Sequence, residues 1–178
     1  MSRASKPRVR QNHHKQGLNQ TIEKLSADFR VISNISTAMT NRQYLLDTNV
    51  LIEFLEGTPS VIQHILEVGA SKCCMSVISL HELYYGAQLA KERKKEYYEK
   101  EIKKINKLLE NFTVVDLSAK GEQYGRIKHF LKSKGIMIDE FDILIAEHAM
   151  EEGLTVATDN IDHFCRIEGL KIESWMEH

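Results

Sequence analysis

From Met39 onward, short apolar runs alternate with stretches of helical period, and that alternation restricts the chain to few folds. Tyr44-Leu45-Leu46 reads as a strand. Asn49–Glu56 reads as a helix stopped by Gly57-Thr58-Pro59, and Ser60–Val68 as another. Cys73–Val77 is a second strand, and a further helix begins at Ser79. Residues 91–111 are helical, with Tyr98, Ile102, Ile105 and Leu109 forming one apolar stripe. Phe112–Leu117 is a strand and Ser118–Lys134 a helix ended by Gly135. Glu140–Glu152 is a helix ended by Gly153, and Leu154–Ala157 and Leu170–Glu173 are the last strands. Strands separated by helices imply an α/β fold with a mostly parallel sheet covered on both faces.

Residues 1–38 do not share this pattern. They carry seven basic and two acidic residues, whereas the whole 178-residue chain has a formal net charge of −1. The remainder is therefore acidic. A short helix is expected around Thr21–Phe29. We expect 1–38 to be a basic extension, peripheral or not native, and 39–178 to be the domain. The three cysteines, Cys73, Cys74 and Cys165, make neither a disulfide framework nor zinc-finger spacing. Reduced thiols in a cytoplasmic chain are expected, and no apolar stretch is long enough to cross a membrane.

The acidic residues carry the chemistry. Asp47 follows the first strand directly, and Asp159 lies just past Leu154–Ala157. In open α/β sheets, ligands bind at the carboxyl ends of the strands. Glu82 stands three residues after Ser79, and Asp142 three after Asp139, so each pair resembles a helix N-terminal capping box. Helices of such folds begin where strands end, so four carboxylates could meet at one sheet edge. Taken singly, each is more often a plain cap or turn residue. Asp142, however, has Ile145, Ala146 and Ala149 on its own face, and Glu82 has Tyr85, Gly86 and Leu89, which suggests a pocket. Clustered carboxylates stay ionised only with help. A divalent cation with hard oxygen ligands, Mg²⁺ or Mn²⁺ and not zinc, would give it, activate water and stabilise a phosphodiester under attack.

These residues resemble a known family. Leu45-Leu46-Asp47-Thr48-Asn49-Val50-Leu51-Ile52 looks like the opening motif of PIN-domain toxins of the VapC type. Ser76 to Ala87, containing His81-Glu82-Leu83, resembles their second motif, and Asp142-Ile143-Leu144-Ile145-Ala146 their third. Thr158-Asp159-Asn160 through Phe164 resembles the fourth. The resemblance implies a three-layer α/β/α PIN domain and Mg²⁺- or Mn²⁺-dependent endoribonuclease activity. It also implies an RNA substrate, a cognate antitoxin and a homodimer. By position, Asp47 and Asp142 would be the main metal ligands, and Glu82 a ligand or a carboxylate acting through water. At the fourth position Asn160 is the match by alignment, but Asp159, one residue earlier, carries the charge and is the residue expected to act there. Thr48, Asn49, Thr158 and Asn160 would hydrogen-bond the ligands.

Other features read plainly. Lys91–Lys107 is rich in lysine but interspersed with glutamate, as on a solvated helix, and Arg126, Lys128, Lys132 and Lys134 form a second basic strip. His81 and His148 lie near motif acids, but imidazole is a poor companion to an all-oxygen site. Three alternatives stand beside the nuclease: a PIN-like module that binds RNA or protein without cutting, a housekeeping RNA-processing nuclease, and a phosphatase using Asp47 as nucleophile. The last lacks a second aspartate two residues on.

Overall fold

The computed structural model describes residues 42–176, all within the unit Arg42–His178. The expected helix at Thr21–Phe29 lies outside the described residues. The order of elements is β1 (Tyr44–Leu46), α1 (Thr48–Glu56), α2 (Pro59–Val68), a 3₁₀ turn (Ala70–Lys72), β2 (Cys73–Ser76), α3 (Val77–Arg93) and α4 (Lys95–Asn111). Then follow β3 (Thr113–Val115), α5 (Glu122–Ser133), α6 (Glu140–Glu152), β4 (Thr155–Ala157), α7 (Ile161–Phe164) and β5 (Lys171–Glu173).

The five strands form one sheet in the order β3-β2-β1-β4-β5, and every neighbouring pair is parallel. The expected α/β class is therefore observed. Alternate residues of each strand enter opposite layers, as the two-residue period of a pleat requires. Leu45, Cys74 and Val156 pack with Ile127 and Leu131 of α5 and with Ile143, Ile145, Ala146 and Ala149 of α6. Leu46, Cys73, Met75 and Ala157 pack with Val50 and Leu51 of α1, Val61 and Ile65 of α2, and Leu108 of α4. The result is helices, sheet, helices. Cys73 and Cys74 are buried free thiols, as expected.

Several boundaries differ from the sequence reading. The helix expected to begin at Ser79 begins two residues earlier, at Val77. Ser76, at the end of β2, accepts a hydrogen bond on its hydroxyl from Ile78 N at 3.1 Å and so is the cap. The side chain of Ser79 is instead fully buried. The helical region 91–111 is two helices, broken at Lys94, which is extended (φ −157°, ψ 141°). The apolar face of α4 is centred on Ile105 and Leu108, while Leu109 of the expected stripe is exposed. The helix expected from Ser118 starts at Glu122. Gly57 and Gly153 end α1 and α6 as anticipated, in left-handed conformations with φ of 86° and 69° that favour a residue without Cβ.

The chain runs from β1 outward through β2 to β3, then returns to lay β4 on the other side of β1. The boundary between β1 and β4 is thus the point where the strand order reverses. In open α/β sheets such a point is where a crevice forms at the carboxyl ends of the strands, and residues that leave β1 and β4 stand side by side there.

Candidate active site

Asp47 and Thr158 are the first residues beyond β1 and β4, whose last residues, Leu46 and Ala157, are paired in register. Asp47 N donates to Ala157 O at 2.9 Å, and Thr158 N to Glu173 O at 3.0 Å, so the backbone ladder fixes both positions. The Thr158 hydroxyl donates to Asp47 Oδ2 at 2.7 Å. The same oxygen accepts from Asn49 Nδ2 at 3.3 Å and from Asn160 N at 3.0 Å. With both acceptor positions filled, its one proton is directed at Asp47. Asp47 Oδ1 accepts from Thr48 N at 2.7 Å, which makes Asp47 the N-cap of α1.

Glu82 is reached from α1. The Thr48 hydroxyl donates to Glu82 Oε2 at 2.5 Å. Because α3 begins at Val77, Glu82 lies in its second turn and not, as the sequence suggested, in the first. The apolar neighbours expected around it are not buried either: Tyr85 is 65% and Leu89 44% exposed. Glu82 faces the crevice from the rim of α3. Asp142 matches its expectation more closely. It sits in the first turn of α6, where Asp139 takes the capping role by accepting from Phe141 N at 2.9 Å. Ile145, Ala146 and Ala149 behind it are fully buried.

Asp142 Oδ2 accepts from Asn160 Nδ2 at 3.1 Å and lies 2.7 Å from His163 Nδ1. Asn160, the alignment candidate for the fourth position, is therefore the residue of that pair with a hydrogen bond to Asp142. Asp159, the charge candidate, donates its backbone N to Asn49 Oδ1 at 3.4 Å. His163 is the residue that sequence reading missed. It lies in the four-residue α7, and 21 positions separate it from Asp142. No periodicity or short spacing links the two.

The electrostatics identify the acids as one group. Asp47 is 4% exposed. Burial lifts its carboxyl from 3.8 to about 6; the hydrogen bonds from Thr158 and Thr48 oppose the rise, and the charges of Asp142 and Glu82 add to it. Glu82 is raised chiefly by burial, opposed by the Thr48 hydroxyl and reinforced by Asp142 and Asp139. Asp47 also stands at the positive end of α1, which favours its ionised form and opposes the rise.

Hard carboxylate oxygens that repel one another suit a divalent cation of the Mg²⁺ type. As placed, they do not make a ready cage: among the described residues, no three or more His, Cys, Asp or Glu side chains are grouped so as to hold one ion. Each is hydrogen-bonded instead: Asp47 to Thr48 and Thr158, Glu82 to Thr48, and Asp142 to Asn160 and His163. Mg²⁺ commonly takes one or two carboxylates and keeps several waters, and the donor set fits that mode.

A family model described as the PIN domain matches residues 44–170. The chain is 38% identical over 135 residues to Ribonuclease VapC2 of Haemophilus influenzae (strain ATCC 51907), covering 75% of this chain and 98% of that protein. It is 35% identical to the tRNA(fMet)-specific endonuclease VapC of Salmonella typhimurium, covering 75% and 98%. Among solved structures, VapBC2 from Rickettsia felis, bound to a DNA fragment from its promoter, superposes with a TM-score of 0.65 at 35% identity. That match covers 75% of this chain and 98% of the other.

Proposed function

The chain belongs to the PIN-domain family, and on that footing we propose that it is a divalent-cation-dependent endoribonuclease, the toxin of a toxin–antitoxin pair. It is a ribonuclease that hydrolyses RNA phosphodiester bonds, and its partners are RNA and a cognate antitoxin. It acts in the cytoplasm as a homodimer within the antitoxin complex. Residues 39–178, which contain the matched family domain at 44–170, carry the activity. The observation that supports this reading best is the gathering of Asp47, Glu82 and Asp142 at the strand-order reversal, where the charge of Asp142 raises both Asp47 and Glu82 and that of Glu82 raises Asp47. Relatives named as ribonucleases match along nearly their whole length, which leaves little support for a binding module without activity.

In this mechanism Asp47 and Asp142 would hold Mg²⁺ or Mn²⁺, with Glu82 as a further ligand or a carboxylate acting through water. Thr48 fixes Glu82, while Thr158, whose hydroxyl oxygen accepts from Asn49, fixes Asp47. At the fourth position Asn160 steadies Asp142 through its amide. The bound cation would supply the positive charge that keeps these carboxylates ionised, acidify a water and stabilise the phosphodiester during in-line attack.

The test is cleavage of structured RNA, beginning with initiator tRNA, by the purified chain. Activity should require Mg²⁺ or Mn²⁺ and stop with chelator. Asp47→Asn and Asp142→Asn should each lower turnover by about 100-fold or more, as expected when a group that stabilises the transition state is removed. A folded Asp142→Asn protein with full activity would refute the assignment.

A further inference from the structure

Resting on the cation-dependent reading above, we infer that His163 is a positioning residue for the cation. Its Nδ1–H and the Asn160 amide together occupy Oδ2 of Asp142 and leave Oδ1 as the ligating oxygen. Asp142 Oδ2 meets His163 Nδ1 at 2.7 Å and Asn160 Nδ2 at 3.1 Å, and the two donors lie 2.9 Å apart. Among the described residues, no hydrogen bond reaches Oδ1.

An ionised carboxylate only accepts, so Nδ1 must carry the ring proton to satisfy the short contact. The terminal torsion of aspartate is broad, and a carboxylate at the mouth of a crevice turns freely unless one oxygen is held. Two donors on one oxygen hold it. Ligating carboxylates in metal sites are commonly anchored this way, and losing an anchor costs roughly 10- to 100-fold in metal affinity.

The placement of His163 also argues against a role in the core. Its side chain is 40% exposed, while that of Asp142 is 16% exposed. The next residue, Phe164, is fully buried and anchors α7. His163 N and Phe164 N both donate to Asn160 O, at 3.1 and 3.3 Å. The turn therefore delivers the amide and the imidazole to the same oxygen as one unit, with Phe164 supplying the hold on the core.

The experiment is calorimetric titration of Mn²⁺ into the full chain and its variants, with RNA cleavage measured separately. His163→Ala should weaken Mn²⁺ binding by roughly 10- to 100-fold. His163→Asn, whose amide nitrogen lies where Nδ1 lies, should bind within about threefold of the parent, and His163→Gln, whose amide lies where Nε2 lies, should behave like alanine. Melting temperatures in chelator should agree among all four proteins. Equal Mn²⁺ affinity in parent and His163→Ala, with parent binding and cleavage intact, would overturn the role of His163 and leave the nuclease reading standing. Complete loss in His163→Ala, matching Asp142→Asn, would make His163 a ligand and also overturn it. If His163→Ala fails to fold, equal affinities for the asparagine and glutamine variants would do the same. A parent with no carboxylate-dependent Mn²⁺ site would remove the reading beneath the proposal.

Discussion

Asp47 meets two opposed demands. Its carboxylate is nearly buried among other acids, yet it caps α1 and receives the Thr158 hydroxyl. Its folded pKa of about 6 lies above the ordinary 3.8. The protonated form is therefore favoured by folding, and that contribution is full below about pH 4 and lost as pH rises through 6. Asp47→Asn should remove this penalty. In chelator at pH 8 it should be more stable than the parent by roughly 1–3 kcal/mol, with little difference at pH 4, while cleavage is lost. Urea melts at the two pH values measure it. Asp47 and Asp142 were legible because each follows a clear strand or cap signal. His163 was not, since its partner comes from another helix and only the fold brings them together.

Among the elements, α3 departs furthest from its sequence signal. Ser79 and Glu82 imitate a capping box, but the cap is Ser76, whose hydroxyl also lies 3.0 Å from His148 Nδ1 of α6. Tertiary contact therefore outweighed a local motif. Ser76→Ala should cost about 1–2 kcal/mol, more than an ordinary lost cap, because a buried imidazole loses its partner as well. A lower urea midpoint with an unchanged slope would register it. Burial also holds the His148 pKa below its usual value. The break at Lys94 was likewise invisible: lysine is a good helix former, and nothing local asks for an extended residue there. The turn is set by α3 and α4 packing back on each other and on the sheet, which no window of sequence contains.

For the molecule as a whole, alternation of strand and helix carried the class, and the apolar period carried most of the layers. Strand order was not legible from it, because runs of three or four apolar residues do not say which neighbour they pair with. The order matters for stability as well as for the site. It concentrates like charge at one edge, so a ligand that cancels the charge should stabilise the fold. Mn²⁺ at about 100 times its dissociation constant should add about 2.7 kcal/mol. The gain should vanish in Asp142→Asn and be absent with Ca²⁺-free chelated buffer, as thermal melts will register.

That strand order also sets a time for activity. Asp47 and Thr158, which share one proton, stand 111 positions apart, and β5 must still follow to accept the amide of Thr158. A nascent chain still on the ribosome presents its first acids long before it holds the residues that aim them. A product stalled or truncated before its last thirty or so residues therefore lacks the hydroxyl that aims at Asp47. The hazard to the cell arrives only with the finished polypeptide, the moment at which an inhibitor made beforehand can capture it.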